Sequence, residues 1–331
     1  MGIMQPRRII DRYLDTARIE AFGAEIDALR QRMRAELGQA DADYLHRIVA
    51  LQRRLEIAGR GSLYLGVMNP LAWAAGVGLL AVAKILDNME IGHNVLHGQY
   101  DWMGDPLLNS RRFEWETLCP AQHWRLSHNY LHHHFTNVIG RDRDIGYGGL
   151  RMAADQPWHW RYLGQPVLAL GLFVGFEWGV GLHHLELDQI VERRWRWADH
   201  GQAAREVAAK GWRLLARDYV VFPALAGPFF LPVLLGNLSA NVLRNMWTFT
   251  IIFCGHFPAG VLHFPAADCD GETRAEWYLR QLLGSCNIRG GRWFQILNGH
   301  LGYQIEHHLF PDLPAWRYPA LAGEVEAICA R

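Results

Sequence analysis

Charged and apolar positions alternate at helical spacing over residues 1–60, with Ile26, Leu29, Met33 and Leu37 on one stripe, which predicts amphipathic surface helices. The pattern changes at Gly61. From there to Leu86 the chain is apolar apart from Asn69 and Lys84, long enough to cross a bilayer of ~30 Å as a helix. Pro70 should kink or divide it. Three more apolar stretches follow at about 163–185, 218–236 and 238–260. A Gly236-Asn237 turn signal separates the last two, which predicts a tight transmembrane hairpin.

Helices that are apolar all round also occur in the cores of large soluble proteins, but four such stretches in one chain favour a membrane protein. The intervening segments are rich in arginine: Arg111, Arg112, Arg125, Arg141, Arg143 and Arg151 in one, Arg193, Arg194, Arg196, Arg205, Arg213 and Arg217 in the other. Positive charge places both on the cytoplasmic side. Because 163–185 holds Glu177, His183 and His184, which are costly in lipid, a re-entrant or interfacial helix pair is expected there. A basic N-terminus and a cytoplasmic segment after Leu86 require an even number of crossings, whereas one span is evident.

Composition adds little until the histidines are considered. Half of the 331 residues are hydrophobic, and 33 Lys plus Arg balance 33 Asp plus Glu, so nothing calls for a nucleic-acid partner. Cys119, Cys254, Cys269, Cys286 and Cys329 are odd in number and form no C-x-x-C pair, which argues against a disulfide framework or a zinc ribbon. The charged N-terminal run lacks the apolar core of a secretory signal. The 17 His and 14 Trp suit a membrane metalloprotein, since imidazole binds metals and Trp sits well at lipid interfaces.

Three histidine clusters stand near apolar spans. In NMEIGHNVLHGQYDWM, His93 and His97 are four apart and share a helix face. In HWRLSHNYLHHHFTN, His128 and His132 share a face, His133 lies beside them and His134 follows. In GHLGYQIEHHLFP, His307 and His308 are adjacent and Gln304 lies one turn earlier. Adjacent histidines in two clusters would bury several polar rings, and a metal is one partner able to satisfy many of them. A structural zinc is complete with about four ligands, so eight or nine candidate donors imply two ions. Ligand type alone leaves copper, zinc and iron open.

The segments HNVLH, HNYLHH and QIEHHLFP, with TNVIGRDRDIG, IIFCGHFP and PDLPAWRY around them, resemble the three histidine boxes of membrane-bound fatty acid desaturases, in the bacterial linoleoyl-CoA or stearoyl-CoA desaturase-like group. The resemblance covers roughly Asn88 to Tyr318. It implies an all-α integral membrane protein with a cytoplasmic helical cap, residues 61–331 forming the desaturase domain behind the amphipathic region 1–60. It implies two non-haem irons held by His93, His97, His128, His132, His133, His256, His307 and His308, with Gln304 where many relatives have histidine. It also implies O₂ as co-substrate, a fatty acyl-CoA or acyl-lipid substrate, surrounding membrane lipid, and a site on the cytoplasmic side of a bacterial inner membrane. Abstraction of hydrogen from an unactivated methylene needs a redox cofactor. No G-x-G-x-x-G or His-Pro-Gly-Gly motif is present, so electrons should come from a separate carrier such as a ferredoxin or a flavin reductase.

Competing readings are a hydroxylase, epoxygenase or ketolase with the same metal chemistry, and a non-enzymatic metal carrier. Asp142 and Asp144 are candidates to orient ligating imidazoles. Trp102, Trp115 and Trp124 are candidates to line an acyl channel or to anchor at the interface. His300, four residues before Gln304, would reach the site on a continuous helix, which Gly302 disfavours. His46, His123, His134, His159, His183, His184, His200 and His263 are read as surface, packing or supporting residues.

Overall fold

The computed structural model describes residues 10, 14–187, 190 and 195–331; Arg193 and Arg194 lie outside the described residues. The architecture is all-helical, and among the described residues the only β-type pairing is an isolated bridge between Val138 and Phe264.

Helices α1 (Thr16–Ala35) and α2 (Gln39–Leu65) supply the amphipathic region. α1 buries Ile26, Leu29 and Met33, whereas Leu37 lies past its end. The apolar run starting at Gly61 is divided, as Pro70 suggests. Its first residues close α2, and α3 (Pro70–Ile85) begins anew with Pro70 in the first turn and the Asn69 side chain accepting from Leu71 and Ala72 N–H. A proline has no N–H to lose at that position.

α2 and α3 pack antiparallel, because Gly59 meets Leu80, Gly76 meets Leu63 and Gly66 meets Trp73. A Cβ at Gly59 would stand 2.8 Å from the Leu80 backbone, so glycine is what lets the axes approach.

The second hairpin differs from expectation. Gly236 and Asn237 lie inside one continuous helix, here α6 (Phe230–His256), and the reversal falls earlier, at Gly227 with φ 57°. Gly236 is a contact point, since a Cβ there would meet Leu63 at 2.5 Å. Asn237 donates to the Asp218 carbonyl at 2.7 Å. Residues that commonly mark turns serve here as close approach and as interhelical hydrogen bond.

Between the hairpins lie α4 (Gln165–His183), broken at Gly175 where φ is −120° and ψ 38°, and α5 (Trp197–Ala216). Both ends of α4 are tied to one loop, because Gln165 bonds the Arg151 backbone and Arg143 donates to the His183 carbonyl. The helical runs Pro70–Leu96 and Trp160–His183 are long and apolar enough to cross a membrane.

Helix α6 has its polarity inverted relative to a soluble helix. Asn237 and Arg244 are 0% and 2% exposed, while Leu231 and Leu238 are 51% and 44% exposed. Such a face is stable only when the outer surroundings are apolar. Charges within the bundle are paired: Asp218 accepts from Lys84 at 2.7 Å, Arg217 at 3.0 Å and Arg60 at 3.3 Å, and Arg244 pairs with Glu177 at 2.6 Å.

The last helices, α7 (Arg274–Leu283), α8 (Gln304–Leu309) and α9 (Tyr318–Cys329), pack with α1 into a cap whose core contains Phe22, Ile26, Tyr278, Phe310 and Leu321. α8 and the end of α6 bring their histidines to the junction of cap and bundle.

Candidate metal centre

The first two histidine clusters sit on π-helical turns. α3 continues as a π-turn over Leu86–His93 and a last α-turn over Asn94–Leu96, and a second π-turn runs over Arg125–His132. π-turns concentrate at functional sites because they re-aim side chains at the cost of weaker backbone bonding. Gly92 fits the first, where a Cβ would stand 2.7 Å from the Asp87 carbonyl.

These turns, with α6 and α8, gather the side chains into two adjoining groups. Ligand-capable atoms of His93, His97, His128 and His307 lie within 4.8 Å of one another, as do those of His132, His256 and His308. His133 stands between them, its ring centre 4.6 Å from His97, 4.7 Å from His307 and 4.6 Å from His308. Gln304 Nε2 is 3.0 Å from His256 Nε2, an atom also 3.0 Å from His132 Nε2 and 3.2 Å from His308 Nε2. A half-turn of that amide would aim its carbonyl oxygen inward.

The ring nitrogens divide into outer and inner sets. His128 and His132 turn Nδ1 to Asp144 and Asp142 at 3.1 and 3.0 Å, His256 Nδ1 meets the Ile252 carbonyl at 2.9 Å, and His308 Nδ1 lies 3.2 Å from both Thr136 Oγ1 and Gln281 Oε1. Asp142 is itself fixed by the N–H groups of Asn137 and Asp144. Inside, Nε2 of His93, His97 and His128 and both nitrogens of His133 and His307 are buried without a protein partner. Buried polar atoms are rarely left so, and several converging on one point are what a metal satisfies.

Electrostatics favours the neutral rings that metals bind. Burial, followed by crowding from His133 and His97, pushes His307 well below the usual histidine value; burial, then His133 and His132, does the same to His308. Burial also opposes ionisation of Asp144, but hydrogen bonds from His128 and His183 hold its carboxyl well below the usual range. His132 is the exception, since its burial is outweighed by Asp142, which raises its pKa, so the site combines mostly neutral donors with fixed anions behind them.

A narrow cavity reaches the histidines, lined by His93, His128, Trp115, Trp124, Tyr147 and Phe176, with Asn88, Glu177, Asn245 and Thr248 also in its wall. Trp115 and Trp124 thus line this cavity. Trp102 does not, being exposed and bonded to the Gln99 carbonyl.

The remaining histidines fall outside the two groups. His300 is in a left-handed turn at φ 56°, its Nδ1 on Glu90, so no helix carries it to Gln304. His134 stacks on Tyr130, and His123 bonds Glu206 and stacks on His184. His183 supports the site, 3.6 Å from Asp144. Sequence reasoning missed Thr136, Gln281 and Asn94, the last bonded to His93 Nδ1 at 3.2 Å. None lies in a pattern that reveals it.

An all-helical chain with two helices long and apolar enough to cross a membrane and buried histidine groups able to hold metal has the build of a membrane-type metalloenzyme. The fatty acid desaturase family pattern matches residues 69–331, and the chain belongs to that family. It is 45% identical over 326 residues to the NADPH-dependent stearoyl-CoA 9-desaturase of Mycobacterium tuberculosis, covering 96% of this chain and 75% of that protein. It is 30% identical to the sn-1 linoleoyl-lipid 6-desaturase of Synechocystis, covering 77% and 72%. Fatty acid desaturase 3 of Homo sapiens is 25% identical over 228 residues, 64% of this chain and 45% of that protein. The chain is thus an oxidoreductase that desaturates fatty acyl chains, in a membrane-associated family whose members generally use two irons.

Proposed function

We propose that the two histidine groups hold two iron ions, one on His93, His97, His128 and His307, the other on His132, His256, His308 and Gln304, with His133 at the boundary. The observation that carries this reading is the set of buried ring nitrogens facing one another, several of them partnerless, while the opposite nitrogens of His93, His128, His132, His256 and His308 are anchored. Iron so bound supplies the O₂-driven oxidising power that side chains lack. The protein's own share is to aim eight rings inward, and to bring one methylene pair through the Trp115–Trp124 cavity to their edge.

The proposed substrate is an acyl-CoA of stearoyl type desaturated at position 9, following the 45% identical relative. The proposed setting is a bacterial inner membrane with the site on the cytoplasmic side, residues 61–331 forming the desaturase domain and 1–60 bracing its cap. Electrons come from a separate ferredoxin or flavin reductase. Expression in a host lacking the activity, with fatty acid profiling, should yield a new 9-monounsaturated acid. A hydroxy, epoxy or keto product would assign the chain to oxygen-inserting chemistry, and an acid unsaturated elsewhere would overturn the regiochemistry alone.

A further inference from the structure

Beside the histidine groups is a buried chain of polar and aromatic side chains that metal binding does not use. Glu90 is 1% exposed and stands one turn before His93 on the π-helical segment. One carboxylate oxygen accepts from Tyr44 Oη at 2.6 Å, the other lies 3.0 Å from His300 Nδ1. The Asn94 side chain joins the Glu90 carbonyl at 3.0 Å to His93 Nδ1 at 3.2 Å, so a bonded path leads from Glu90 to a ring of the cluster.

The chain continues outward. Tyr44 stacks on Trp316, ring centres 5.4 Å apart and planes at 20°, and Trp316 is half-buried at the surface turn Ala315–Arg317. Its indole N–H donates to Asp41 at 2.9 Å, and Asp41 is clamped by two bonds from Arg317 at 2.6 and 2.7 Å. His300 keeps its bond to Glu90 although its backbone is left-handed, a conformation that costs a non-glycine residue about 1 kcal/mol or more. A phenol with a carboxylate base at 2.6 Å and a stacked indole outside it is more than packing requires.

We infer that Tyr44, Glu90 and Trp316 form a proton-coupled electron relay between the histidine cluster and the surface. When O₂ or peroxide has raised the bound metals to an oxidant strong enough to oxidise a phenol, Tyr44 would give up one electron to it, its Oη–H bond breaking as the proton crosses to Glu90, leaving a neutral tyrosyl radical beside a protonated carboxyl. An electron then arrives through Trp316 from the external one-electron donor, which is oxidised, and the proton returns from Glu90 to Tyr44. No net chemistry remains on the protein. The relay rests on the iron reading above and extends it to how an oxidising equivalent left unused at the site is discharged.

The test uses the full-length, iron-loaded protein, mixed with hydrogen peroxide without acyl substrate and freeze-quenched for electron paramagnetic resonance, with iron content measured on the same samples. Wild type is expected to give a tyrosyl signal. Tyr44→Phe, which keeps the stack on Trp316, should lose it at unchanged iron content, and Trp316→Phe should keep it but slow its quenching by ascorbate ~10-fold. An unchanged signal in Tyr44→Phe, or none in iron-loaded wild type, overturns the relay. A protein without iron overturns the iron reading and the relay with it.

Discussion

Two of the buried polar clusters, one in the bundle and one at the cap junction, differ in what they leave unpaired. In the bundle, Asp218 takes bonds from Lys84, Arg60 and Arg217, and the Arg60 guanidinium lies 3.7 Å over the Phe222 ring. At the cap junction, His93 and His128 are anchored through Nδ1 and leave Nε2 without a partner, and His133 and His307 leave both ring nitrogens so. The first cluster balances its charges within the protein and leaves only isolated atoms such as Arg60 Nη1 unpaired, so its purpose is to hold helices together. The second is complete only with something added, which marks it as a site.

The sharpest way to break this contrast is to remove one residue from each side. His307→Ala takes away a ring with two partnerless nitrogens, so iron should fall well below two per chain and desaturation more than ~100-fold, beyond what loss of an outer partner costs. Metal analysis and product assay check it. Near-normal activity with iron intact would show that His307 is no ligand.

Asp218→Ala leaves Lys84, Arg60 and Arg217 facing one another in the bundle, an uncompensated burial that costs ~3–5 kcal/mol. The expected result is a marked fall in melting temperature and yield, with iron per folded chain and turnover unchanged. Loss of iron at full stability would mean the two clusters are not separable.

Asp142→Asn tests the boundary between holding structure and holding metal. It keeps the shape but weakens the anchor of His132, and should lower metal affinity or activity by ~10–100-fold with little change in melting temperature. A melting temperature that fell while affinity held would reassign Asp142 to structure.

The smallest effect concerns Gln304, a neutral and weaker donor than imidazole. Gln304→Ala should lose most activity and some iron, and Gln304→His should keep the iron and some turnover. Full iron and full activity in Gln304→Ala would leave eight ligands.

The legible parts of the molecule are those written in local spacing. The pairs His93/His97, His128/His132 and His307/His308 announce themselves, and the text around IIFCGHFP drew in His256 from more than 100 residues beyond the second cluster. Asp142 and Asp144 were foreseen as orienting groups because carboxylates commonly stand behind metal-bound imidazoles. The break at Pro70 was foreseen for the same local reason.

What escaped depends on contacts distant in sequence. Gly236-Asn237 reads as a turn until Leu63 and Asp218 pack against it, and the π-turns depend on the packing around them rather than on any residue pattern. The α2–α3 return was hidden because the polar half of α2 masks an apolar end. Thr136 and Gln281 meet at His308 only in the folded chain.

The central claim is that the inward-facing ring nitrogens surround two irons, and anomalous X-ray scattering at the iron edge from crystals of the purified protein tests it most directly. The account predicts two iron peaks, one among His93, His97, His128 and His307 and one among His132, His256 and His308. A single peak, or peaks at the zinc edge only, would contradict it.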